Sequence, residues 1–421
     1  MAVYDSEDAF LVFIPFDKEG ALLETITECI KNGASKVLWF WLAGMILVAT
    51  GCASASATEI ESPLLYSGFA FSGDFQNRDR LYRYTAQIVR ENGDAFLDTV
   101  LREKLMARPA LAARMKLDLS DGKQDLSSVA FALAHENVET QKVDGKHWII
   151  VTLQANVLAF NRASNSLVAS YPLRMRVTRV RDSVPTSDEL KEMVREVYTT
   201  ANARENIFDQ WLDRLESIKL RKGARKYLRV TAVTMTPEAQ KVAVAAGKNV
   251  TSIENQAANF LEAAVAEQAG IPIVPNSVGE AIGSKMAYRF ANGSDLQLTL
   301  PEPDYALTFE IRDFVSKKLE KPAYFQDIYR VKATVGLKQP DLGRVLLDEG
   351  VYDTAIITRP RQADVQLTDW DQYYKTLQSL ILQVGKQMAH VDDSWLKDNA
   401  SRAIEAKPAF QNTNQLLQQL L

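Results

Sequence analysis

One succession of hydrophobic patterns occurs twice along this chain, and it restricts the fold more than any other feature: strand, helix, three-stranded meander, helix. In the first occurrence Leu64 to Phe71 (LLYSGFAF) is strand-like. Phe96, Leu97, Val100, Leu101 and Leu105 then fall at helical spacing within Asp94 to Met115, interrupted at Pro109. Val129 to Val138, His147 to Phe160 and Leu167 to Val180 read as a meander, with Asp144-Gly145 and the polar Asn161 to Ser166 as its turns. Thr186 and Glu189 have capping-box spacing ahead of a stripe of Leu190, Val194, Val197 and Tyr198, continued by Ile207, Trp211, Leu212 and Leu215.

The second occurrence opens at Tyr227 to Met235. A helix from Ser252 to Ala269 follows, with Ile253, Ala257, Phe260, Leu261, Ala264 and Val265 on one face and Gly270 as its stop. Ile271 to Val274 reads as a short strand and Ser277 to Phe290 as a helix. Tyr305 to Val315, Asp327 to Leu337 and Arg344 to Ile357 form the second meander, turning at Gln339 to Gly343. Thr368 caps a helix whose stripe is Trp370, Tyr373, Tyr374, Leu377, Leu380, Ile381, Val384 and Met388. Each amphipathic stripe needs a sheet to cover it. The expected class is therefore α/β (α+β): two similar domains, 63–222 and 223–390, each a mixed sheet packed by helices. A helical tail, 391–421, places Leu416, Leu417, Leu420 and Leu421 on one face and is expected to pack back on the second domain.

Upstream, Val37 to Thr50 (VLWFWLAGMILVAT) is the strongest apolar run. Fourteen residues span about 21 Å as a helix, short of the ~30 Å hydrocarbon core, which suits the core of a signal peptide. It ends in Ala49-Thr50-Gly51-Cys52-Ala53-Ser54. This resembles the bacterial lipobox, with Ala49 where that pattern usually has Leu or Val. The resemblance implies cleavage between Gly51 and Cys52, lipid on Cys52, and, because Ala53 is not aspartate, the outer membrane as destination. Residues 1–51 would be removed and 52–62, rich in Ser, Ala and Thr, would serve as a tether. The segment ahead of the run carries seven acids and three lysines (Lys18, Lys31, Lys36), unlike a short basic leader. Translation is therefore expected to start between Leu22 and Val37. Without residues 1–51, acids and bases balance and Cys29 is lost, which suits an oxidising compartment.

Lys146 to Val180, together with Asn259-Phe260-Leu261-Glu262 leading into Gly270-Ile271-Pro272-Ile273-Val274-Pro275, is similar to a small α/β domain. That domain occurs in the amino-terminal part of the Tol-system translocation protein, in the curli-secretion lipoprotein and in the flagellar-assembly periplasmic protein. The resemblance is topological and transfers no functional residue.

No catalytic constellation is legible, and no cofactor or metal site is expected. His135, His147 and His390 have no second ligand at metal spacing, and neither a phosphate loop nor a nucleophile elbow occurs. The acid pairs Glu302/Asp304, Asp348/Glu349 and Asp392/Asp393 sit beside turn-formers or helix starts, where solvated charge is the simpler reading. With 49 Lys+Arg against 53 Asp+Glu, nucleic acid is not an expected partner. A basic cluster, Arg214, Lys219, Arg221, Lys222, Arg225, Lys226 and Arg229, could meet an anionic surface or could simply be a helix end and linker.

The functional expectation is a non-enzymatic interaction or assembly factor of the cell envelope, lipid-anchored in the outer membrane, facing the periplasm and binding other envelope proteins. One alternative is a secretion-pore subunit of the curli-secretion type, since Val151 to Val157 alternates as a barrel strand would. A sheet strand with one wet face explains the same alternation. The other alternative is an envelope glycan-acting enzyme.

Overall fold

A computed structural model describes residues 63–73, 78–117, 127–143, 145–218, 220, 226–276, 281–282, 285–360 and 368–420. In the first half, strand β1 (Leu64–Ser72) leads into helices α1 (Arg83–Asn92) and α2 (Phe96–Met106). The two-residue β2 (Met115–Lys116) precedes the meander of β3 (Ser127–Val143), β4 (Lys146–Asn161) and β5 (Ser166–Arg181). Helices α3 (Ser187–Thr199) and α4 (Ile207–Ser217) close it. The capping box forms as its spacing requires: the Glu189 amide donates to Thr186 Oγ1, and the Thr186 amide donates to Glu189 Oε2. α1 was not legible in the sequence.

In the second half, β6 (Leu228–Met235), α5 (Pro237–Ala245) and α6 (Val250–Ala269) come first. Short strands β7 (Ala281–Ile282), β8 (Lys285–Phe290) and β9 (Asp295–Thr299) follow. A second meander, β10 (Tyr305–Glu320), β11 (Tyr324–Gln339) and β12 (Arg344–Pro360), leads into α7 (Asp369–Ala389), α8 (Asp393–Asn399) and α9 (Ala403–Gln418). The fold is α/β with two mixed sheets.

The two halves repeat one topology in detail. β1 runs parallel to β3 and β6 runs parallel to β10, while the meander strands pair antiparallel. Pairing of β1 with β3 ends at Leu133, and pairing of β6 with β10 ends at Ile311. Immediately beyond, each meander strand carries a bulge, at Ala134 and at Arg312. The carbonyl left over at each bulge accepts from a hydroxyl near the crossover helix: Tyr82 Oη to Ala134 O at 3.3 Å, Thr236 Oγ1 to Arg312 O at 2.5 Å. Past the bulge, β3 and β10 continue with only one neighbouring strand among the described residues, so each half extends a three-stranded arm.

The expected helix over Ser277 to Phe290 is a strand at 285–290. Met286, Tyr288 and Phe290 are buried while Lys285, Ala287 and Arg289 are more exposed, a period of two that belongs to a sheet. Its hairpin with β9 joins the first half's sheet. β8 pairs antiparallel with β1 (Ala70 with Phe290, Ser72 with Tyr288), and β9 meets β5 at Ser166 and Thr299. β1, β3, β4, β5, β9 and β8 thus close a ring around Leu158, Phe160, Tyr288, Phe290 and Leu298. The opposite face of the sheet carries Phe69, Phe131, Phe208 and Trp211; the Phe131 and Phe208 rings meet edge-on at 5.0 Å.

β4 is consequently buried on both faces from Ile149 to Phe160. The wet face expected along this strand is not found: Thr152, Gln154 and Asn156 are covered, and Gln154 is only 4% exposed. The alternation of Val151 to Val157 reflects two different coverings, one apolar and one mixed.

α7 buries Leu377, Leu380, Ile381, Val384 and Met388, each contributing about 1.5–3 kcal/mol. Gly385 lets α7 approach α6: a Cβ there would lie 2.8 Å from the backbone carbonyl of Ala264. The tail packs back through Phe410, Leu417 and Leu420, with Leu416 partly buried beside them; Leu421 lies outside the described residues. Gly385→Val should therefore lower the unfolding free energy by about 2 kcal/mol, because overpacking outweighs the helix-propensity gain of about 0.5 kcal/mol. Urea unfolding of the C52S chain measures this; unchanged stability would contradict the close crossing.

Candidate functional site

A cleft of about 530 Å³ lies where the first sheet's arm meets the amino-terminal ends of α6 and α7. Its walls come from three places. β3 supplies Asn137 and the consecutive residues Glu139 to Lys142; β4 and β5 supply Ile150, Thr152 and Arg176; α6 and α7 supply Ser252, Gln256, Trp370, Asp371 and Tyr374. Consecutive residues of a strand point to opposite faces. A run of four therefore means that the edge of β3, as well as its face, borders the cleft. A shallower hollow continues past Thr140 to Lys241 of α5 and Lys318 of the second arm.

The helix ends are fixed by their own caps. Asn249 Oδ1 accepts from the Ser252 amide at 2.8 Å, and Thr368 Oγ1 accepts from the Asp371 amide at 3.2 Å. Tyr374 Oη donates to Gln256 Oε1 at 2.5 Å and so ties α7 to α6 across the cleft floor. Burial pushes the Tyr374 phenol well above its ordinary range. Lys142, Arg176, Lys248 and Lys375 are exposed, and none takes part in an ion pair among the described residues; Glu139 and Asp371 are the acids facing them.

Behind the cleft the two halves meet through polar and cationic side chains. The Arg174 guanidinium lies over the Phe260 ring at 4.9 Å, and Arg214 lies over Tyr171 at 5.2 Å while donating to the Ala266 carbonyl at 3.0 Å. Burial pulls both guanidinium groups below their usual range. The amide of Gln154, on β4 beside Arg174 and His135, has no hydrogen-bond partner among the described residues.

Of the basic cluster, Arg214 is thus half-buried in the joint between the halves rather than free on the surface. Lys226 donates to Tyr305 Oη at 3.3 Å and lies over that ring, and Arg229 sits in β6 opposite Ala306. Lys219, Arg221, Lys222 and Arg225 lie outside the described residues, as do Gly51 and Cys52. Each acid pair has at least one member in a structural contact rather than free in solvent, and Glu349 is buried. Asp304 accepts from the Tyr227 amide, Glu349 sits 3.5 Å from Arg402, Asp392 caps α8 and Asp393 pairs with Lys407. His390 ends α7. No group of three or more His, Cys, Asp or Glu that could hold a metal occurs among the described residues, and no described helix is long and apolar enough to cross a membrane. The cleft is not legible in the sequence, because its residues come from five separate elements.

No family model matches the chain, and no curated protein matches it. Among solved structures it is similar to a DUF330 protein from Xanthomonas campestris, at 12% identity over 39% of this chain and 82% of that one, with a TM-score of 0.20. It is also similar to a minor lipoprotein from Acinetobacter baumannii, at 12% identity over 40% of this chain and 90% of that one, with a TM-score of 0.19.

His135 stands on β3 opposite Gln154, and burial lowers its pKa to about 4. The unfolded chain takes up this proton near pH 6.5 and the folded chain only near pH 4. A depressed value means stability present above pH 6.5 and lost as pH falls toward 4. The neighbouring Glu136, which accepts from the Tyr84 and Thr85 amides, is pushed upward by burial and acts with the opposite sign. Wild type should lose on the order of 2 kcal/mol more than His135→Gln between pH 6.5 and 4. Parallel losses in urea titrations at those pH values would contradict a half-buried imidazole held neutral.

Proposed function

We propose that this chain is an envelope lipoprotein, anchored through Cys52, whose two-sheet body is a non-enzymatic interaction or assembly module facing the periplasm. The observation that carries the reading is the placement of the cleft. The chain enters the body at β1, where Leu65 pairs with Ser128 at the start of β3. The cleft borders the same strand at Glu139 to Lys142. A dozen residues at a rise of about 3.3 Å separate the two by about 40 Å. A body held at β1 therefore carries the cleft about 40 Å along β3 from the point where the chain enters, which suits an adaptor. The apolar run of 37–50 and the small residues around Cys52 support the anchor.

A pore would require β4 and its neighbours to leave covers on both faces, which include the Phe131, Phe208 and Trp211 cluster. Lipid-facing strands have one apolar face free for the bilayer.

Two measurements test the reading. Metabolic incorporation of a palmitate analogue should mark the wild-type chain and not Cys52→Ser; an unmarked wild-type chain would overturn the anchor. A photo-crosslinking residue at Thr140 or Lys248 should give discrete adducts with envelope proteins in cells, whereas one at the exposed Lys397 should not. Failure to form adducts at both cleft positions would overturn the binding role.

A further inference from the structure

We propose that the cleft binds an extended acidic peptide segment of a partner protein, which adds as a strand to the open edge of β3 between Asn137 and Lys142. The inference rests on the reading of the body as a binding module and names the chemistry of what it binds.

Three observations converge on it. The first is the open edge. β3 pairs with β4 as far as Val143, but its pairing with β1 stops at Leu133. Beyond the bulge at Ala134, every second residue of β3 turns its amide and carbonyl away from β4, toward the side where no strand lies among the described residues. Backbone groups in that position are either hydrated or paired by an added strand. The second is access. Glu139 to Lys142 line the cleft as consecutive residues, so the edge opens into the cleft, and the hollow continues along it past Thr140. The third is charge. Lys142, Arg176, Lys248 and Lys375 outnumber Glu139 and Asp371, and the amino-terminal end of α6, which has no acid in its first turn, adds positive potential.

These features select among anionic partners. A polysaccharide or a lipid headgroup could use the cations but has no use for a strand edge. An acidic peptide in extended form satisfies both, with carboxylates on alternate residues directed at the cations. The same lysines guard the edge against the wrong partner. A second copy of this chain would bring its own Lys142 and Lys146 to the contact, and like charges oppose such pairing.

Fluorescence anisotropy on the full C52S chain tests the proposal. The probe is a labelled ten-residue peptide of alternating glutamate and valine. Comparators are a lysine–valine peptide, the acidic peptide N-methylated through its central six residues, polygalacturonate, and phosphatidylglycerol vesicles. The acidic peptide should bind at least tenfold more tightly than the lysine peptide and the N-methylated peptide. The double variant Lys142→Glu/Lys248→Glu should weaken it at least tenfold, and Lys397→Glu should leave it unchanged. No binding of the acidic peptide would overturn the proposal. So would binding indifferent to N-methylation, or polygalacturonate or vesicle binding with the same dependence on Lys142 and Lys248. In each of these cases discrete crosslinks from Thr140 or Lys248 would still uphold the module's binding role, so the two readings fail separately.

Discussion

Helix α6 is the element on which the architecture depends. It is covered over most of its circumference: Ile253, Ala257, Phe260, Leu261, Ala264 and Val265 are buried, and so are Ala258, Ala263 and Ala266. A helix enclosed in this way needs small side chains so that its neighbours can approach, and α6 is rich in alanine. Gly385 of α7 uses the space at Ala264. The Ala266 carbonyl receives Arg214 from the first half, and Phe260 receives Arg174. One helix therefore belongs to the core of the second half and is also the cover of the first half's sheet. The apolar burial fixes its position, and the polar contacts on its other side, together with the pairing of β8 with β1, set how the halves meet. Such contacts cost desolvation, so they add less stability per unit area than the core does.

The repeated bulge shapes both halves in the same way. In each half a short parallel strand stops, a bulge follows, and the longer strand runs on. The equivalence extends to the hydroxyl that satisfies the bulged carbonyl, from Tyr82 in one half and Thr236 in the other. A bulge at the end of a pairing is a common way to terminate a ladder and turn an edge toward a site. The two arms differ in their cover. β3 borders the cleft over four consecutive residues, whereas β10 contributes Lys318 to the adjoining hollow and Arg312 and Asp313 to a separate one beside Glu238 of α5. One topology has thus produced one edge open to a charged cleft and another placed beside a helix.

Most of the fold is legible in the sequence because its long elements have strong periods. The capping residues Thr186, Thr368 and Gly270 mark helix ends where the structure has them. What was not legible depends on tertiary partners. Met286, Tyr288 and Phe290 read as part of a helix because the strand they form has only six residues, and its partner β1 lies more than two hundred positions earlier. Gln154 and Asn156 resemble solvated positions, and only the arrival of the second half buries them. Arg214 looks like part of a basic linker until Tyr171 and Ala266 are placed beside it. The cleft escaped for the same reason: a lysine on a strand, a lysine before a helix and a tyrosine in a helix carry no joint signal until α6 sets them side by side.

The central claim is that β3 changes character at Ala134, from a strand paired on both sides to one with an open edge facing the cleft. Residue-resolved hydrogen exchange on the C52S chain tests this most directly. Amides from Val129 to Leu133 should all be protected, whereas from Asn137 to Lys142 alternate amides should exchange at least 100-fold faster than their neighbours. Uniform protection across both stretches would contradict the account, since it would mean that another strand already occupies the edge.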